Sequence, residues 1–138
     1  MTSFWELINM LLAIDLQSET PIYTQIAQQI IEGIAKGELV PGEGLPSVRS
    51  LAVDLGVNLH TVNKAYHLLK QDGYVQINRK QGVIIEPDAM PIADEQFKKS
   101  LQERLRPLIA EAIARGMEVS QFEQLLGATF EELRPNRN

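Results

Sequence analysis

Residues 47–73 read SVRSLAVDLGVNLHTVNKAYHLLKQDG, and the organisation of the rest of the chain follows from this stretch. Ser47 suits an N-cap, because its short side chain can accept from an unpaired N–H of the first helical turn. Val48, Leu51, Ala52 and Leu55 then recur at helical spacing, and Gly56 offers the left-handed residue that stops a helix. Asn58 can cap a second helix, from Leu59 to about Asp72, which ends at Gly73. Two short helices across a tight glycine-containing turn make a helix-turn-helix. On a wheel of about 100° per residue, Leu59, Val62, Ala65, Tyr66 and Leu69 share the inward arc, while His60, Asn63, Lys64, His67 and Gln71 share the outward one. The outward face carries hydrogen-bonding groups and a cation, with no carboxylate before Asp72. A DNA major groove accepts such a face, since base edges need donors and acceptors and phosphates repel anions.

Working outward, Thr20-Pro21 predicts the start of a helix with Thr20 as cap. Ile22, Ile26, Ile30 and Ile34, with Tyr23, Ala27 and Ile31 beside them, form its apolar stripe, and Gly37 ends it. Tyr23 and Tyr66 both lie on apolar stripes, so core packing is expected of them. Pro41–Gly44 is a turn. Beyond Gly73, Tyr74–Ile77 and Val83–Ile85 flank a basic, glycine-containing loop and read as a hairpin, after which Pro87 and Pro91 bracket a linker. From about Ile92 to Arg115 the helical pattern returns, with Phe97, Leu101, Leu105, Leu108, Ile109, Ala112 and Ile113 on one face. Pro107 falls inside it and is expected to kink the helix or split it near Arg104. Ser120–Glu123 fits a capping box for a last helix to about Leu133, with Phe122, Leu125, Leu126, Phe130 and Leu133 apolar.

The 138 residues carry a net charge of −5, which alone argues against a polyanion as partner. The average conceals a segregation. Residues 1–46 sum to −5 and residues 83–138 to −3, whereas residues 47–82 hold Arg49, Lys64, Lys70, Arg79 and Lys80 against Asp54 and Asp72, a net +3. Without cysteine there is no disulfide framework, thiolate zinc site or thiol nucleophile. His60 and His67 have no carboxylate between them, so no metal site is expected, and no cofactor site or nucleophile–base pair can be assembled. The longest apolar stretch, Phe4–Leu16, is interrupted by Glu6, Asn9 and Asp15 and is shorter than the roughly 20 residues a spanning helix requires. A cytoplasmic, soluble protein without a membrane partner is expected.

The pattern Pro21-Ile22-Tyr23-x-Gln25-Ile26, then Gly37-x-Leu39-x-Pro41-Gly42-x-x-Leu45-Pro46-Ser47-x-Arg49-x-Leu51-Ala52, then Leu55-Gly56-Val57-Asn58-x-x-Thr61-Val62-x-Lys64-Ala65-Tyr66 resembles the GntR family of bacterial transcription regulators. The short two-helix tail is similar to that of its YtrA-like subfamily. The resemblance implies a mainly α fold with a small β-hairpin: a winged helix-turn-helix over residues 14–87, followed by a helical dimerisation region over 88–138. Residues 1–13 are an apolar extension, and Met10 is an alternative start. The resemblance further implies operator DNA as ligand, a homodimer, a repressor's role and, for the subfamily, control of transporter genes.

The DNA-binding positions, from the wheel and from the family motif, are Ser47, Arg49, Asn58, His60, Thr61, Asn63, Lys64, His67, Arg79, Lys80 and Gly82. Asn63 can read adenine bidentately, Lys64 can donate to guanine or phosphate, and Arg79-Lys80 can follow a minor groove. The family's wing usually reads Gly-x-Gly-Thr where this chain has Lys80-Gln81-Gly82-Val83, which changes the geometry of the tip and adds charge. Dimerisation is expected of Phe97, Leu101, Leu105, Leu108, Ile109, Ile113, Phe122 and Leu126, because two amphipathic helices find little surface to cover on a winged helix of this size. The alternative is a winged helix that binds proteins instead of specific DNA. No effector pocket can be read.

Overall fold

The computed structural model describes residues 13–135. The extension foreseen at residues 1–13 therefore lies, but for Ala13, outside the described residues. Five helices and two strands are present among them: α1 (Ile22–Ala35), α2 (Val48–Leu55), α3 (Leu59–Gln71), β1 (Val75–Asn78), β2 (Gly82–Ile85), α4 (Glu95–Ala114) and α5 (Val119–Leu133). The chain divides into two compact units, with Ile92–Arg134 forming the second. The fold is mainly helical with one antiparallel hairpin, as expected.

The first unit is built around α3. Val62, Ala65, Tyr66 and Leu69 are almost fully buried, and they meet Ile26, Ala27 and Ile30 of α1 and Leu51 and Ala52 of α2. Burying the Val, Leu and Ile side chains among them stabilises the fold by about 1.5–3 kcal/mol each. The caps stand where the sequence places them. Ser47 Oγ accepts from Ser50 N at 3.1 Å and Asn58 Oδ1 accepts from His60 N at 2.8 Å. Gly56 closes α2 with φ of 67°, a conformation that costs a Cβ-bearing residue about 1–2 kcal/mol.

The start of α1 differs from expectation. Pro21, not Thr20, occupies the cap position, and no side chain caps it. The lead-in is fastened from within the helix instead. Gln25 accepts from Asp15 N at 2.8 Å and donates to the carbonyls of Asp15 (2.9 Å) and Thr20 (2.8 Å). Gln29 makes the same two-way bond with the backbone of Ala13.

β1 and β2 pair in the register Val75↔Ile85 to Asn78↔Gly82. The other side of β2 is also occupied: Leu45 N donates to the Val83 carbonyl at 2.7 Å, and Ile85 N donates to the Glu43 carbonyl at 2.8 Å. Gly44 and Ile84 form a bridge there. β2 thus lies between β1 on one edge and residues 43–45 on the other.

Glu86, buried just after β2, accepts from Ala89 N (3.1 Å), Asp88 N (3.3 Å) and Gln76 Nε2 (3.3 Å). The Ala89 amide, helped by Asp88 and Gln76 and opposed by burial, holds its carboxyl below the ordinary glutamate value. A depressed value in the folded state means stabilisation present above the ordinary value and lost as pH falls through the folded one. Thermal melts of the wild type should therefore decline below about pH 4 more steeply than those of Glu86→Gln. Parallel acid limbs for the two proteins would contradict this role.

In the second unit, Asp94 Oδ1 caps α4 through Phe97 N at 2.8 Å. One helix runs across Pro107 and is not split at Arg104. The bond that proline removes is the one to the Glu103 carbonyl, and Glu103 is exposed, so water can satisfy that carbonyl. The box opening α5 sits two residues earlier than the Ser120–Glu123 reading: Glu118 N donates to Gln121 Oε1 at 2.8 Å. Neither helix contains a buried residue. Exposed ion pairs line their flanks, at Lys98–Glu95, Arg115–Glu111 and Arg134–Glu131. No described helix is long and apolar enough to cross a membrane.

Candidate nucleic-acid interface

The outward arc of α3 is exposed as the wheel requires. His60, Asn63, Lys64, His67 and Gln71 are all open to solvent, and Thr61 is half-buried. Leu59, assigned to the inward arc, is instead 39% exposed. It is the first helical residue, with no preceding turn to cover it, and its apolar side chain joins the outward surface. Arg49 is exposed in the first turn of α2, and the capping residues Ser47 and Asn58 are exposed at the starts of their helices. Their oxygens are committed to capping, which leaves the Ser47 hydroxyl proton and the Asn58 amide as donors.

The hairpin tip is organised by Asn78. Its Oδ1 accepts from Gln81 N at 2.6 Å and from Lys80 N at 3.1 Å, while its amide donates to Gln81 Oε1 at 3.2 Å. Gly82 follows with φ of 70°. Arg79, Lys80 and Gly82 are exposed on this turn. An Asn two and three residues ahead of the amides it accepts from is a recognisable turn signal, although Asn78 was not among the expected site residues.

Electrostatics favour an anion here. Among the described residues, ion pairs form only in the tail, so Arg49, Lys64, Lys70, Arg79 and Lys80 have no carboxylate partner. The nearest constraint on any of them is aromatic: Lys64 Nζ lies 4.0 Å from the centroid of the Tyr23 ring. Tyr66 meets the expectation of core packing, being wholly buried, with its hydroxyl donating to the Pro46 carbonyl at 2.8 Å. Tyr23 meets it in part: it packs on the core while one ring face carries Lys64. No group of His, Asp or Glu that could hold a metal occurs among the described residues.

Residues 22–85 match the family described as bacterial regulatory proteins, gntR family. The transcriptional repressor YtrA of Bacillus subtilis (strain 168) is 38% identical over 114 residues, covering 83% of this chain and 88% of that one. Among solved structures, a transcriptional antiterminator from Listeria monocytogenes EGD-e superposes with a TM-score of 0.83 at 26% identity, over 91% of this chain and 94% of the other. YtrA from Sulfolobus acidocaldarius, a GntR-family transcription factor, is 45% identical with a TM-score of 0.57, over 75% and 98% of the two chains. The family match begins at the first residue of α1 and ends at the last of β2, so it spans the elements that carry the exposed basic face. The chain therefore belongs to the GntR family of transcription regulators.

Proposed function

We propose that this protein is a homodimeric repressor, without catalytic chemistry, that places α3 in the major groove of an inverted-repeat operator. The observation that carries the reading is the exposed face of α3 together with the unpaired cations of α2, α3 and the hairpin tip, in a chain whose remainder is acidic. Half-sites about one helical turn apart follow from two-fold symmetry. His60, Thr61, Asn63 and His67 read bases. Arg49, Lys64, Lys70, Arg79 and Lys80 hold phosphates, with Ser47, Asn58 and the Gly82 turn supporting them. The repressor's role is supported by the name of the Bacillus subtilis relative, and transporter genes are the target class the family resemblance suggests. Such a protein works in the cytoplasm, where its DNA is.

Dimerisation belongs to residues 92–134. Their helices contain no fully buried residue, while Phe97, Leu101, Leu108, Ile109, Ile113, Leu126 and Phe130 stand exposed and Leu105 and Phe122 are half-buried. An apolar face of this extent on a soluble chain marks an interaction surface, and a second copy covers it symmetrically.

Footprinting and fluorescence anisotropy on the DNA upstream of the gene test the reading. Asn63→Ala should lose about 1–3 kcal/mol of discrimination at one base pair. Arg49→Ala should weaken operator and random duplex alike and reduce the salt slope by about one. Equal losses on both duplexes for Asn63→Ala would remove it from the reading set. The net charge of −5 favours one rival, a winged helix that docks on proteins; failure of any duplex to bind in a salt-sensitive manner would select it.

A further inference from the structure

We infer that Tyr23 is a positioning residue for DNA binding: its ring holds the Lys64 ammonium at the α1 side of the recognition face and commits that lysine to a backbone phosphate. The inference rests on the DNA-binding reading above. Lys64 Nζ stands 4.0 Å from the ring centroid, well inside the roughly 6 Å range of a cation–π contact. Tyr23 is the second residue of α1, half-buried and packed against the core, so its ring is fixed by its surroundings. Lys64 is exposed on α3, which packs along α1. A lysine there has a flexible four-carbon stem and a strongly hydrated charge. Among the described residues no carboxylate pairs with it. The aromatic face is the contact that gives the ammonium a preferred place.

That place bears on what Lys64 can touch. Around α3, at about 100° per residue, Asn63 and Lys64 stand at opposite margins of the outward arc, with His60 and His67 between them. The Lys64 margin borders Thr61 and Leu68, both half-buried. Drawn onto the Tyr23 ring, the ammonium moves away from the residues that point at the groove floor and toward its wall. The ring face takes one side of the ammonium and leaves N–H donors on the other side available to a phosphate oxygen. Tyr23 thereby selects one of the two roles open to Lys64, a phosphate contact instead of guanine.

The test is a double-mutant cycle with anisotropy on operator and random duplexes. Tyr23→Leu should weaken both by the same factor, about two- to fivefold. Tyr23→Phe, which keeps the ring, should bind as the wild type does. Tyr23→Leu added to Lys64→Met should cost nothing beyond Lys64→Met alone. Multiplying losses, a loss confined to the operator, or a Tyr23→Phe defect as large as that of Tyr23→Leu would each overturn the inference. A readout independent of any variant's folding is the NMR shift of the Lys64 Cε protons in the free wild-type protein, which the ring current should move upfield. Duplex binding with those protons at ordinary positions rejects the role of Tyr23 alone. An upfield shift without salt-sensitive duplex binding rejects the DNA-binding reading and the phosphate contact with it.

Discussion

Tyr66→Ala should remove about 3–5 kcal/mol of stability, the cost of deleting a large aromatic side chain from a packed core. The ring is fully buried in the core of the first unit. Its hydroxyl adds a second, separable effect. It donates to the Pro46 carbonyl at 2.8 Å, immediately before the Ser47 cap, so one bond ties α3 to the start of α2. Tyr66→Phe keeps the ring and leaves that buried carbonyl unpaired, which should cost about 1–3 kcal/mol. Burial also pushes the phenol well above its ordinary value of 10. A raised value in the folded state places the stabilisation below the unfolded pKa and removes it as pH rises through the folded one, so the alkaline limb of wild-type stability above about pH 10 should flatten in Tyr66→Phe. Urea denaturation followed by circular dichroism measures all three. Equal stability of Tyr66→Phe and wild type would mean that the Pro46 bond contributes nothing net. With domains stable by about 5–15 kcal/mol, Tyr66→Ala is expected to leave a protein close to unfolding at physiological temperature.

The second large effect concerns assembly. Leu101→Glu with Leu108→Glu places two carboxylates on the apolar face of α4, where the wild-type side chains are 39% and 57% exposed. Neither position belongs to the buried core, so helix content and the stability of the first unit should persist. The proposed pairing of two copies should fail, because each carboxylate would be desolvated against its symmetry mate without a partner. Two half-sites bound by one tethered dimer gain about 10²–10⁴ in apparent affinity over separate binding. Operator affinity should accordingly fall at least about a hundredfold while random-duplex binding changes far less. Sedimentation velocity reports the assembly state and anisotropy the affinity. A variant that sediments as the wild type does, or that is monomeric yet binds operator undiminished, would refute the assignment of this face to dimerisation.

The features legible in the sequence were those that depend on near neighbours. Ser47 and Asn58 cap as their types dictate, Gly56 takes the left-handed conformation, and the 3.6-residue period separates the buried from the exposed side of α3. The misread details depend on what surrounds an element. Leu59 lies within the angular range of the buried face, yet no turn precedes it, so it is exposed. Thr20 has the chemistry of a cap, but Gln25 reaches back from inside the helix and takes the Thr20 carbonyl. Pro107 breaks helices by rule, and α4 tolerates it because the freed carbonyl belongs to an exposed residue. The contact between Tyr23 and Lys64 joins residues 41 positions apart and required the packing of α1 on α3 to be known.

Because backbone groups fasten β2 along both of its edges, the neighbouring tip at 79–81 is relieved of any duty in folding. Its geometry is kept by Asn78, Gln81 and Gly82, and the Arg79 and Lys80 side chains stand exposed outside the core. Duplicated copies of such a gene can rewrite Arg79 and Lys80 generation by generation while the scaffold stays intact. If the tip meets DNA as proposed, new preferences for flanking sequence can arise there without a change to the fold.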